Sequence, residues 1–143
     1  MSQTNGAVME MEHVLVLSDD IESTRDFYCQ AVGLHVGARP DLEFPGFWLY
    51  AGETPCLHVA DRRAYLRHAA WLGLAVPHEP PGSGPVDHIA FNASDYDSVT
   101  ARLEEAGISA VRNTTAGGGI RQLFFEDPNG VRIEINVRGR QHA

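Results

Sequence analysis

Three histidines and one glutamate stand in segments whose composition otherwise suits apolar strands: His13 in "HVLVL", His58 in "CLHVA", His88 in "DHIAF" and Glu134 in "VRIEINV". An imidazole in such a segment is costly unless it finds a hydrogen-bond partner or a ligand. Imidazoles combined with a carboxylate form a donor set that holds a divalent first-row metal and leaves coordination positions open for substrate and for oxygen or water. That chemistry requires the four side chains to meet.

An internal repeat gives a reason why they would. Laying "HVLVLSDDIESTRDFYCQA" from His13 over "HIAFNASDYDSVTARLEEA" from His88, an offset of 75, pairs His13 with His88, Asp20 with Asp95, Ser23 with Ser98 and Ala31 with Ala106. Further on, "WLYAGETPCLHV" from Trp48 lies over "FFEDPNGVRIEI" from Phe124 at an offset of 76, which puts His58 opposite Glu134. A pseudo-twofold relating the halves places His13 and His88 on equivalent first strands, and His58 and Glu134 on equivalent last strands. One shared metal site is the expectation.

The elements that position these residues can be read from the same halves. Residues 12 to 17 read as a strand, after which Asp19 and Glu22 have the spacing of a capping box. A helix follows to about Val32, with Gly33 as its left-handed stop. Strands are expected around 35 to 38, 47 to 51 and 56 to 60, separated by Pro and Gly. The second half predicts a strand at 87 to 92, a helix over 95 to 106 and strands near 109 to 114, 120 to 126 and 131 to 137, with "DPNG" as the turn before the last. The chain is therefore expected to be α+β, with βαβββ modules at 12 to 60 and 86 to 138. An N-terminal extension (1 to 11), an inter-module helix and linker (61 to 85) and a short tail (139 to 143) complete it.

Composition narrows the function classes. With 143 residues, 43% of them hydrophobic, the chain fits one globular domain, and a formal charge of −8 disfavours nucleic acid and anionic membrane surfaces as partners. The sequence shows neither a leader pattern nor an apolar run of about 18 residues, so a cytoplasmic small-molecule protein is expected. Cys29 and Cys56 have no metal spacing, "TTAGGGI" lacks the lysine of a phosphate loop, and no G-x-S-x-G elbow occurs. His35, His68, His78 and His142 have no partner in the repeat and are assigned loop or surface roles.

The paired βαβββ modules, the histidine opening each, and "FFEDPNGVRIEI" ending in a carboxylate resemble the vicinal oxygen chelate superfamily. That superfamily includes glyoxalase I, extradiol dioxygenases, methylmalonyl-CoA epimerase, and fosfomycin- and bleomycin-resistance proteins. The resemblance spans about residues 12 to 137 and implies a curved, eight-stranded cup around a metal that polarises two adjacent substrate oxygens. It implies His13, His88 and Glu134 as metal ligands, and places His58 where glyoxalases carry a glutamate that is both ligand and base. A histidine there suits the acid/base of an extradiol dioxygenase, since imidazole titrates near neutrality. The resemblance thus implies first a dioxygenase with Fe(II) or Mn(II) acting on a vicinal diol. Next come a lyase, isomerase or epimerase with Zn, Ni or Co, in which His58 is a fourth ligand and Glu134 the base, and then a non-catalytic drug binder. Two departures from the extradiol pattern stand out: Phe124 replaces a tyrosine, and the region of Thr114, Thr115 and Gly117 lacks a second histidine. Trp48, Tyr50 and Phe124 are candidates to line the cup. A homodimer is implied, and in some members the metal site is built from two chains.

Overall fold

The computed structural model describes residues 10–74 and 86–138. The first nine residues of the expected N-terminal extension, residues 75 to 85 of the expected linker with His78, and the expected tail with His142 lie outside the described residues. Strand β1 (Val14–Ser18) leads into helix α1 (Ile21–Phe27) and a π-helical turn (Tyr28–Val32) that Gly33 ends at φ +93°. Strands β2 (His35–Gly37), β3 (Gly46–Ala51) and β4 (Thr54–Asp61) follow, then helix α2 (Arg62–Leu72). The second module runs β5 (His88–Ala93), α3 (Tyr96–Glu105), β6 (Val111–Thr114), a short 3₁₀ turn (Ala116–Gly118), β7 (Ile120–Glu126) and β8 (Arg132–Arg138).

One cap differs from the sequence reading. Asp20, not Asp19, caps α1, accepting the Ser23 amide at 3.1 Å, while Asp19 pairs with Arg62 of α2 at 3.2 Å. The repeat makes the reason visible: Asp95, the counterpart of Asp20, accepts the Asp97 and Ser98 amides at the start of α3. Both aspartates satisfy amides that a helix start leaves without a partner.

Among the described residues, eight strands form two four-stranded sheets of identical order, β1-β4-β3-β2 and β5-β8-β7-β6, each with its own ladders. In each, the first strand runs parallel to the last and the others pair antiparallel. Side chains alternate between faces. Leu57, Val59, Ile133, Ile135 and Val137 therefore join a single core with Tyr28, Ala31, Val99 and Leu103 from the helices. His58 and Glu134, one residue out of phase with these, face the other way.

The modules are welded through α1 and the turn between β7 and β8. The Tyr28 hydroxyl donates to Asp127 at 2.7 Å, and Asp127 also accepts the Asn129 and Val131 amides at 2.7 and 2.9 Å. Asn129 donates to Thr24 at 3.0 Å, and Thr24 bonds Ser18 at 2.8 Å. Burial and the adjacent carboxylate push the Tyr28 phenol far above its ordinary pKa, so its proton stays in place as the donor. Replacing Asp127 with Ala leaves a buried phenol and two turn amides without their acceptor, and is expected to cost roughly 3 kcal/mol in urea unfolding. A loss below about 0.5 kcal/mol, typical of a surface change, would show that the weld is peripheral.

Candidate functional site

The first sheet presents a stack of three rings on the face turned away from the core. His58 of β4 lies opposite Trp48 of β3 in register, and their rings stack at 4.1 Å. His13, just before β1, covers the other face of the His58 ring at 3.8 Å. The Nε2 of His58 is buried and has no hydrogen-bond partner, while the Pro55 carbonyl accepts from the same ring. Burial first, and the neighbouring His13 second, lower the His58 pKa, so the ring is neutral at pH 7. The Nδ1 of His13 bonds Glu12 at 2.9 Å.

The second sheet presents a polar cluster on the corresponding face. His88 Nε2 lies 3.1 Å from Glu134 Oε1, and His88 Nδ1 bonds Asp87 at 2.8 Å, with Arg132 holding Asp87 at 3.1 Å from the other side. Gln122 of β7 donates to Glu134 at 3.2 Å and to Asn136 at 3.0 Å, and Asn113 donates to Gln122 at 2.7 Å. Phe124 sits directly across from Glu134 in register, on the same face of the sheet.

The four predicted ligands are thus brought together in two pairs, His13 with His58 and His88 with Glu134. Among the described residues, no three His, Cys, Asp or Glu side chains are placed to share one ion. Each histidine nonetheless has one ring nitrogen held by an acceptor: a carboxylate for His13 and His88, a carbonyl for His58. This is the outer support that metal-binding histidines ordinarily have. The unpartnered buried Nε2 of His58 fits the same chemistry, because an imidazole nitrogen in that state needs either a donor or an ion. The donor set of three imidazoles and one carboxylate suits Zn, Ni, Co or Fe.

Trp48 stacks on His58, and Phe124 stands opposite Glu134 on the neighbouring strand. Tyr50 has its hydroxyl committed to the Ala38 carbonyl at 2.6 Å and its ring stacked on His35, so it braces β2 against β3. The cysteines are free and partly buried. Glu12, Asp87 and Gln122 were not singled out from sequence. The first two carried a signal there, since an acid directly precedes each repeated histidine at the same offset of 75.

The family model for the Glyoxalase/Bleomycin resistance protein/Dioxygenase superfamily matches residues 10–135. The chain is 33% identical over 132 residues to "Glyoxylase I 4" of Arabidopsis thaliana, covering 87% of this chain and 68% of that protein. It is 23% identical over 135 residues to "Biphenyl-2,3-diol 1,2-dioxygenase 2" of Rhodococcus globerulus, covering 92% of this chain and 64% of that one. A glyoxalase/dioxygenase crystal structure from Nostoc punctiforme superposes with a TM-score of 0.69 over 98% of both chains at 18% identity, a likeness of fold. With the duplicated βαβββ fold and the family match on the same stretch of chain, the protein belongs to the glyoxalase/bleomycin resistance protein/dioxygenase superfamily.

Proposed function

We propose that the chain is a divalent-metal enzyme that moves a proton between adjacent carbons of a small substrate bearing two vicinal oxygens, a lyase or isomerase reaction. The metal would be held by His13, His58, His88 and Glu134, with the two pairs contributed by two copies of the chain. The observation that carries this reading is the support of all three imidazoles by an acceptor on one nitrogen, with His58 Nε2 buried and unpartnered.

When bound, the ion supplies Lewis-acid stabilisation of negative charge on the two substrate oxygens. The protein's own groups do the rest. Glu134, oriented by Gln122, takes the proton from the substrate carbon and returns it to the neighbouring one. His58, its ring held between His13 and Trp48 and its Nε2 buried without a partner, acts as a fixed nitrogen donor. Trp48 and Phe124 exclude water from the reacting carbons, which strengthens each polar contact there.

The donor count favours proton transfer over oxygenation. Four protein donors would leave a bound ion little room beyond the two vicinal oxygens of the substrate, whereas ring cleavage also needs room for dioxygen. Phe124 further lacks the hydroxyl found at this place in extradiol enzymes. The second reading, a dioxygenase with Fe(II) or Mn(II) and His58 as acid/base, is supported by the similarity to the Rhodococcus globerulus protein. A panel of α-hydroxyketones and catechols in deuterium oxide separates the two. The proposal predicts deuterium incorporation next to the ketone without oxygen uptake, and oxygen consumed in step with catechol loss would replace it with the dioxygenase.

A further inference from the structure

Among the described residues, two buried side-chain nitrogens lack a hydrogen-bond partner: His58 Nε2 and Arg39 Nε. Both belong to side chains lining one cavity of about 170 Å3 between the first sheet and α2, with His13, Trp48, Phe44 and Tyr65 among its other walls. Buried polar groups are ordinarily satisfied; His58 Nε2 calls for a donor or an ion, and it is Arg39 Nε, a buried donor without an acceptor, that marks the cavity as built for an acceptor-bearing occupant.

The occupant's chemistry follows from Arg39. One terminal nitrogen donates to the Phe44 carbonyl at 2.7 Å and the guanidinium carbon lies 5.5 Å from the centre of the Phe44 ring. These contacts fix the group without neutralising it. Among the described residues no carboxylate pairs with Arg39 within 4.0 Å; Asp41 acts on it only through its longer-range field. A guanidinium keeps its charge and presents donors suited to a carboxylate. Gly46 makes the arrangement possible, since a Cβ there would stand 2.1 Å from the Val59 carbonyl oxygen and 3.1 Å from Arg39. The remaining walls are aromatic rings, with Phe44 and Tyr65 packed edge to face at 5.1 Å.

We propose that this cavity binds the carboxylate end of a planar, ring-bearing organic acid, with Arg39 as the anion anchor and Phe44, Tyr65 and Trp48 enclosing the ring. In relation to the proposed function, this names the substrate class, an anionic one. The binding itself rests on Arg39 and needs no metal.

Benzoate and its neutral counterpart benzamide are the probes, read by fluorescence of Trp48 in a Trp71→Phe chain. Trp71 is exposed on α2, so its removal leaves one reporter at the cavity. Benzoate is expected to bind saturably and at least about tenfold more tightly than benzamide. Arg39→Gln should remove that preference, Arg39→Lys should restore part of it, and Glu134→Gln should leave it intact, which separates the anchor from coordination to an ion. Equal affinity for the two probes, no saturable binding of benzoate, or a preference that survives Arg39→Gln would overturn the assignment; should Arg39→Gln fail to fold, the comparison in the Trp71→Phe chain decides. Carboxylate preference in a chain that binds no metal would uphold the anchor and remove the proposed reaction. Metal binding without the preference would do the reverse.

Discussion

Glu134→Gln is expected to lower affinity for a divalent ion by more than about 100-fold while leaving the protein folded. Loss of a merely supporting hydrogen bond around a metal ligand costs about 10- to 100-fold, so loss of the ligand itself must exceed that. The amide keeps the size of the carboxylate and can still bond Gln122 and His88, so the sheet has little reason to rearrange. Glu134 is buried but lies on the face away from the core, and the apolar contacts of Ile133 and Ile135 are untouched. What disappears is the one anionic donor among the four. Competition against a chromogenic chelator would give the affinity, and a thermal melt the folding control. An unchanged affinity in a folded variant would remove Glu134 from the site.

The fold was legible because the chain states it twice. Each strand and helix of the second half has a counterpart in the first, and the structure places them within one or two residues of where alternation and the Gly and Pro punctuation set them. The α1 cap slipped by one residue because two adjacent aspartates, Asp19 and Asp20, have equal local claims, and the choice between them depends on Arg62, 43 residues away. The four candidate residues stood out in the sequence, but their separation into two pairs did not. His13 pairs with His58 because β1 lies beside β4, and His88 pairs with Glu134 because β5 lies beside β8. Strand order is a tertiary property, and the repeat offset carries no trace of it. Arg39 was illegible for a related reason. It has no counterpart in the second half, where Thr114 and Thr115 stand at the repeat offsets, and its role appears only once the segment before β3 folds over the first sheet against α2.

A metal site assembled by two copies of the chain, as proposed, would have a consequence that no single-chain site shares. Consider one chain carrying His58→Ala and another carrying Glu134→Gln, co-expressed with different tags so that the mixed dimer can be isolated. Each chain then keeps one intact pair: His13 with His58 in the second, His88 with Glu134 in the first. If the pairs of opposite copies face each other, one of the two sites in the mixed dimer receives both defects and the other receives none. If each chain builds its own site, both sites are damaged. A twofold assembly of the same patch from each copy is the commonest symmetric arrangement, and it brings the two unlike pairs together twice per dimer. The measurement is the metal content of that mixed dimer beside the two single-variant dimers. One ion per mixed dimer and almost none in either parent are expected; a mixed dimer as empty as its parents, or a monomeric wild-type chain that carries a full ion, would contradict a site shared between two copies.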